Sequence, residues 1–254
     1  MSNEKTLAIV LKVTEFSETS SVVTLMTEGF GKITGLAKGA RRPKGPFEAA
    51  LDLLAVCRIV FLHKRSEALD LLTEAKLQRR FQAARHDLSR LNAGYYVAEL
   101  LRELTDEGDP HPELFQTADQ TLLALDDGDD PALLLLRFEL TALRQLGHLP
   151  VLTQCAECGD PIPGGRSAAF GQTAGGVLCE THRVGKRQVV RISSSGLAAM
   201  QTFSDLSDDW RNVEWPSKVR GELRGVLNQY FANLLGKRPR MHQYLSQQTR
   251  QKNS

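Results

Sequence analysis

The chain has 254 residues, 41% of them apolar, with 32 Lys and Arg against 30 Asp and Glu. Such a composition suits one large or two to three small globular domains and excludes wholesale disorder. The net charge of +2 is unevenly spread: residues 1–85 carry 14 basic and 9 acidic side chains, residues 86–150 carry 4 and 13, and residues 151–254 carry 14 and 8. Two basic ends around an acidic middle point either to an anionic partner at the ends or to charge balance within one surface.

No apolar run approaches the roughly 20 residues that span a bilayer. The opening MSNEKTLAIVLKV lacks the apolar core and small-residue cleavage site of a secretory leader. Three of the four cysteines cluster at Cys155, Cys158 and Cys179, which argues against a disulfide scaffold and for metal-bound thiolates in a reducing cytoplasm.

From Thr6 to about Phe81 the pattern is strand-like. Leu7, Ile9, Leu11 and Val13 alternate with smaller or polar residues, Ser21–Thr27 is short and β-branched, and Glu28–Gly31 reads as a tight turn into Lys32–Ala37. Further strands are predicted at Leu53–Leu62 and Leu69–Leu77. A series of short strands with glycine-rich turns over this length predicts a small β-barrel. Near His86 the periodicity changes: Leu91, Tyr95, Ala98 and Leu101 recur at helical spacing until Gly108 and Pro110 end the helix. A second helix is predicted over Pro112–Leu125 and a third over Leu133–Leu146, opened by Pro131 and closed by Gly147. Residues 150–191 read as an irregular, glycine-rich region. Ser193–Ser195 offers an N-cap to a helix over Gly196–Phe203. Asp205–Asp209 reads as a loop, and Pro216 opens a last helix to about Leu235.

Cys155-Ala-Glu-Cys158, a 20-residue spacer and Cys179-Glu-Thr-His182 give the pattern C-x2-C-x20-C-x2-H. Each short pair sets two ligands on one turn, and six glycines in the spacer let the pairs meet. That is the donor set of tetrahedral Zn²⁺, and four protein ligands leave no open position, so the metal is expected to be structural. Arg183, Lys186 and Arg187 follow directly and are placed to offset the extra negative charge of three thiolates. Cys57, in the apolar run AVCRIVF, reads as core. His63, His86, His111 and His148 read as surface or cap residues.

Lys38-Gly-Ala-Arg41-Arg42-Pro-Lys44-Gly45 puts four cations within seven residues. Gly39 and Gly45 permit close backbone approach and Pro43 limits flexibility, so the turn can track phosphates. It is not a Walker A loop, because G-x-x-x-x-G-K-[ST] is absent. The predicted barrel holds Phe16, Phe30, Phe47 and Phe61 but no Trp or Tyr, and some of these phenylalanines must fill its core. The expectation is a grip on the nucleic-acid backbone with little base readout, holding single-stranded and duplex DNA alike.

Phe16-Ser-Glu-Thr-Ser20, Thr24-Leu-Met-Thr27, Gly31-Lys32 and Ala37-Lys-Gly-Ala-Arg-Arg-Pro-Lys44 resemble the N-terminal signature of the RecO DNA repair proteins. Phe138-Glu-Leu140, Leu146-Gly147 and Leu149-Pro150 resemble that family's central signature. The resemblance implies an α+β chain: an N-terminal OB-fold β-barrel over residues 1–82, a central helical bundle over 83–150, and a structural zinc module over 151–190. C-terminal helices over 191–246 would pack on the helical domain, leaving a polar tail over 247–254. It also implies a recombination mediator and not an enzyme, one that binds and anneals DNA, engages the single-strand-binding protein SSB, and acts with RecR to load RecA onto coated strands. The expected location is cytoplasmic and nucleoid-associated. The family's usual fourth metal ligand is Cys where this chain has His182, and Lys237–His242 follows the family's Leu-Lys-Ser-Arg stretch only loosely.

On this reading Lys38, Arg41, Arg42 and Lys44 hold DNA backbones, helped by Lys32, Arg79, Arg80, Lys186, Arg187, Lys237, Arg238 and Arg240. The leucine-rich helices offer an apolar groove to the acidic SSB tail, with Arg137 at its edge. A nuclease or deaminase would need metal-binding carboxylates or an H-x-E…P-C-x-x-C pattern, and His182 is not followed by x-Glu. The rival reading is a protein-interaction scaffold whose barrel does not bind DNA.

Overall fold

A sheet whose side chains alternate between core and solvent must close on itself or leave an edge unpaired. The N-terminal strands close. The computed structural model describes residues 2–42, 45–47, 50–63, 69–83, 87–205 and 207–245. Strands β1 (Ser2–Glu15), β2 (Ser21–Thr27), β3 (Gly31–Ala37), β4 (Val56–His63) and β5 (Asp70–Arg79) form a closed barrel in the order β1-β2-β3-β5-β4. Closure rests on the length of β1. Its first half pairs antiparallel with β4, from Ser2 opposite His63 to Ile9 opposite Val56. Its second half pairs with β2, from Ala8 opposite Thr27 to Glu15 opposite Ser21, and a bulge between Val10 and Lys12 bends the strand from one partner to the other. β3 lies parallel to β5 over Gly35–Ala37. This five-stranded barrel is an OB-fold.

Its core is filled by the inward set of the alternation: Val10, Val23, Leu25, Ile33, Ile59, Phe61 and Leu72, with Phe47 from the β3–β4 connection. Cys57 belongs to this set, with no exposed surface. Burial pushes its thiol up to about 12, so it is a packing residue and not a reactive one.

The chain forms two compact units, residues 1–131 with 243–254, and residues 132–242. The division falls inside the segment that the sequence reading takes as one helical domain. Helices α1 (Leu88–Leu104) and α2 (Pro112–Asp127) belong with the barrel, and α3 (Pro131–Gln145) belongs almost entirely to the second unit. Within the first unit, Asp87 caps α1 by accepting from the Ser89 and Arg90 amides. Lys32 reaches from β3 to the other end of α1, donating to the Arg102 carbonyl at 2.7 Å and to that of Thr105. A cation there offsets the negative end of the helix dipole. The Arg79 guanidinium, at the end of β5, engages the Asp119 and Asp126 carboxylates of α2. Part of the acidic middle is therefore matched by cations of the barrel itself.

In the second unit, α3 is followed by a sheet in the order β7-β6-β8, made of β6 (Ala168–Gly171), β7 (Gly176–Leu178) and β8 (Val189–Ile192). Then come α4 (Ser194–Ser204), a 3-10 turn (Asp209–Arg211) and α5 (Ser217–Leu234). Gly147 ends α3 at φ +75°, with the His148 amide returning to the Leu143 carbonyl at 2.7 Å. Ser193 caps α4, its Oγ accepting from the Gly196 amide at 2.9 Å. Phe138, Leu143, Phe170, Met200, Phe203, Leu223, Leu227 and Phe231 are buried, and Phe203 stacks between Trp210 and Trp215 at 5.7 and 5.0 Å. Glu139 of α3 is fully buried and takes a two-pronged grip from Arg224 of α5 at 2.7 and 2.5 Å. No described helix is long and apolar enough to cross a membrane.

His242 follows α5. Burial, with the Arg224 and Arg238 guanidinium groups adding repulsion, lowers its pKa from the ordinary 6.5 to about 4. The folded state thus favours the neutral ring, and its contribution to stability is fully present above pH 6.5 and lost as pH falls through 4. His242→Gln is expected to make the melting temperature of the full chain less steeply dependent on pH between those limits. Parallel curves for variant and wild type would contradict the assignment.

Candidate metal centre and nucleic-acid interface

The region predicted as irregular contains the three short strands, and these set the metal ligands. Val151 pairs with β7: its amide donates to the Gly175 carbonyl at 2.9 Å and its carbonyl accepts from the Val177 amide at 2.9 Å. A side chain on Gly176 would begin 2.4 Å from the Val151 carbonyl oxygen, so only glycine allows this approach. Five residues on, the Ala156 amide donates to the Val177 carbonyl at 2.8 Å. The turn carrying Cys155 and Cys158 is thereby laced to β7, and β7 ends one residue before Cys179. Each turn is closed by its own backbone, Gly159 N–H to the Cys155 carbonyl at 2.9 Å and Arg183 N–H to the Cys179 carbonyl at 3.0 Å.

The ligand atoms of Cys155, Cys158, Cys179 and His182 all lie within 4.8 Å of one another. Cys158 Sγ is 4.0 Å from Cys179 Sγ, and His182 Nδ1 is 3.1 Å from Cys179 Sγ and 3.9 Å from Cys155 Sγ. Neighbouring sulfurs around a tetrahedral zinc ion lie about 3.8 Å apart, close to the Cys158–Cys179 separation, so this cluster could hold a metal ion of that kind. Cys155 is buried and Cys158 exposed. The three thiols hold protons unequally. Burial opposes ionisation of Cys155, but the amides of Cys158, Cys179 and Glu157 outweigh it and lower its pKa. The His182 amide lowers that of Cys179. At Cys158 the Asp160 amide favours the thiolate, but burial and the Asp160 carboxylate, which accepts the thiol proton at 3.2 Å, push the thiol up to about 12. Cys155, Cys158, Cys179 and His182 could together hold a metal ion, whose positive charge would favour the thiolate form of all three sulfurs. Of the basic residues that follow, Lys186 pairs with Glu157 and Arg183 with Glu180, each at 2.6 Å, so they meet flanking carboxylates; Arg187 is exposed.

The second candidate surface is the basic turn after β3. Lys38, Arg41 and Arg42 are exposed, while Pro43 and Lys44 lie outside the described residues, as do His86 and the 247–254 tail. The turn is fastened to the β1–β2 connection. The Arg41 amide donates to the Thr19 carbonyl at 3.1 Å and the Gly39 amide to Ser20 Oγ at 3.4 Å. The Arg41 guanidinium reaches the Ser17 carbonyl at 3.5 Å and the Glu15 carboxylate at 3.1 Å. That pair is solvent-exposed, so a phosphate can take the place of Glu15 at a cost of about 1 kcal/mol or less.

The other basic residues named from the sequence fall in different settings. Lys32 and Arg79 are engaged by α1 and α2, as described above, and face helix ends and carboxylates of their own unit. Arg80 is half-buried beside Arg79. In the second unit Lys237, Arg238 and Arg240 are exposed around a buried Pro239. Arg137 holds the end of α4, donating to the Phe203 carbonyl at 2.8 Å and to the Asp205 carbonyl. Burial lowers its pKa from the ordinary guanidinium value, partly offset by Asp208 and Asp205. The sequence reading did not single out the β1–β2 connection as part of the surface, although the FSETS motif lies there.

Two family models match the chain: Recombination protein O N terminal over residues 1–81 and Recombination protein O C terminal over residues 85–243. Among curated relatives, the DNA repair protein RecO of Rhodopirellula baltica is 41% identical, with 94% of this chain and 97% of the relative covered. That of Myxococcus xanthus is 35% identical over 94% of this chain and 96% of the relative. That of Exiguobacterium sibiricum is 29% identical over 96% of each. With both matches spanning nearly the whole chain, from the barrel to the end of the metal-bearing unit, this chain belongs to the RecO family.

Proposed function

We propose that this chain is a DNA-binding mediator of recombinational repair. It holds single- and double-stranded DNA by the backbone, brings complementary strands together, and acts with RecR in loading RecA onto SSB-coated strands. The observation that carries the reading is the exposed cluster of Lys38, Arg41 and Arg42 fastened by backbone hydrogen bonds to a neighbouring loop of the OB barrel. A fixed turn loses little conformational entropy when it meets a phosphate chain. Lys44 extends the same basic run in sequence, and Arg187, Lys237, Arg238 and Arg240 supply further cations in the second unit. Lys32, Arg79 and Arg137 serve inside the chain, so no nucleic-acid or partner contact is assigned to them.

Neutralising phosphates on two strands lowers their mutual repulsion and allows annealing, with no bond made or broken in either strand. Cys155, Cys158, Cys179 and His182 would hold one Zn²⁺. With four protein ligands its contribution is to cross-link two turns of the chain, not to act on substrate. Mixing two complementary oligonucleotides with stoichiometric protein at low ionic strength is expected to speed duplex formation. The gain should vanish as salt is raised. No acceleration at any ionic strength would remove the annealing role.

A further inference from the structure

Aromatic side chains are the ones a folding chain gains most by burying. Nine of the ten phenylalanines here are buried or half-buried, and all ten lie among the described residues. Phe16 is the exception, with 63% of its surface exposed. A lone exposed apolar residue needs no explanation in itself. This one stands where chance has little claim. It is the first residue after β1, and its neighbours on both sides, Glu15 and Ser17, hold the guanidinium of Arg41. Its amide donates to the Ser20 carbonyl at 3.0 Å, closing a turn that also receives the Ser17 amide at 3.2 Å. The backbone that presents the ring is therefore fixed, and the fixing partners are shared with the basic turn.

We propose that Phe16 is a stacking platform for an unpaired nucleobase, set beside the phosphate grip of Lys38, Arg41 and Arg42. The β1–β2 connection is one of the loops by which OB-folds meet oligonucleotides. An exposed ring next to a cationic track is the pairing by which single strands are held without reading sequence, because every base offers a π-face. In a duplex the bases are already stacked on one another, so the ring gains nothing there. Charge then sets affinity for both strand forms, and Phe16 adds a preference for the single strand. The inference rests on the DNA-binding reading above and deepens it.

The test compares full-length wild type, Phe16→Ala, Phe16→Trp and the double variant Arg41→Ala/Arg42→Ala on one labelled oligonucleotide, single-stranded and duplex, across a salt series. Phe16→Ala should weaken single-strand binding about 5- to 100-fold. Its slope of log affinity against log salt should be unchanged, and duplex affinity should stay within about twofold of wild type, because no phosphate contact is lost. Phe16→Trp should keep single-strand affinity, and its added fluorescence should be quenched by the single strand more than by the duplex. If the arginine variant binds poorly while Phe16→Ala binds like wild type, the stacking role is overturned and the backbone grip stands. Equal weakening on both strand forms also overturns it, since it would make Phe16 a support for the turn. If wild type binds neither form, this inference and the reading beneath it both fall.

Discussion

Cys158→Ser is expected to melt the segment from about residue 150 to 192 while the barrel unit stays folded. The expectation follows from an imbalance. Cys158 is exposed, and an exposed substitution with no special partner changes stability by about 0.5 kcal/mol or less. As one of four ligands to a shared ion, the role proposed for it, it would count for far more, because structural zinc contributes on the order of 10 kcal/mol to the folding of small modules. The sheet β7-β6-β8 has strands of only three and four residues, and the turn bearing Cys155 and Cys158 is held to β7 by a few backbone hydrogen bonds. Elemental content should fall from about one zinc per chain to near none, and amide exchange should rise across these strands but not in β1–β5. A strong chelator should do the same to the wild type. An unchanged exchange pattern, with no metal in either protein, would dismiss the structural ion.

The double variant Arg41→Ala/Arg42→Ala is expected to lose about 10- to 100-fold in DNA affinity near 0.1 M salt, with a slope of log affinity against log salt shallower by about 1–2. Both residues are exposed, and the one carboxylate contact of Arg41, with Glu15, is at the surface. The fold should therefore be untouched, and its melting temperature serves as the control. Loss of affinity with an unchanged slope would mean that the arginines act through something other than phosphates.

The sequence was informative where its signals are local. Alternation over Ser21–Ala37, the serine cap of α4, the glycine that ends α3 and the paired cysteine spacings each depend on a few neighbouring residues, and each has its counterpart in the structure; the strand expected over Leu7–Val13 is present, but its buried residues run continuously from Ala8 to Leu11, with Leu7 half-buried and Val13 exposed. β6, β7 and β8 were missed because three or four residues between glycine turns are too few to show a period. The unit boundary near Pro131 was missed for another reason: helical periodicity shows that a face is buried but not what buries it. Lys32 and Arg79 looked like the other cations of the barrel until the structure showed Arg102, Thr105, Asp119 and Asp126, 40 to 73 residues away, as their partners. The exposure of Phe16 depends on where β1 ends and how the chain turns there, so it could be read only from the folded chain.

The proposed action on DNA requires that cations on the barrel hold the phosphate backbone. The most direct measurement is the equilibrium affinity of the full-length protein for one single-stranded and one duplex oligonucleotide, titrated from about 20 to 300 mM monovalent salt. Binding of both forms, with log affinity falling linearly against log salt, is the predicted result. Retention of neither form in dilute buffer would contradict it and leave an OB-fold that serves only as a scaffold for other proteins.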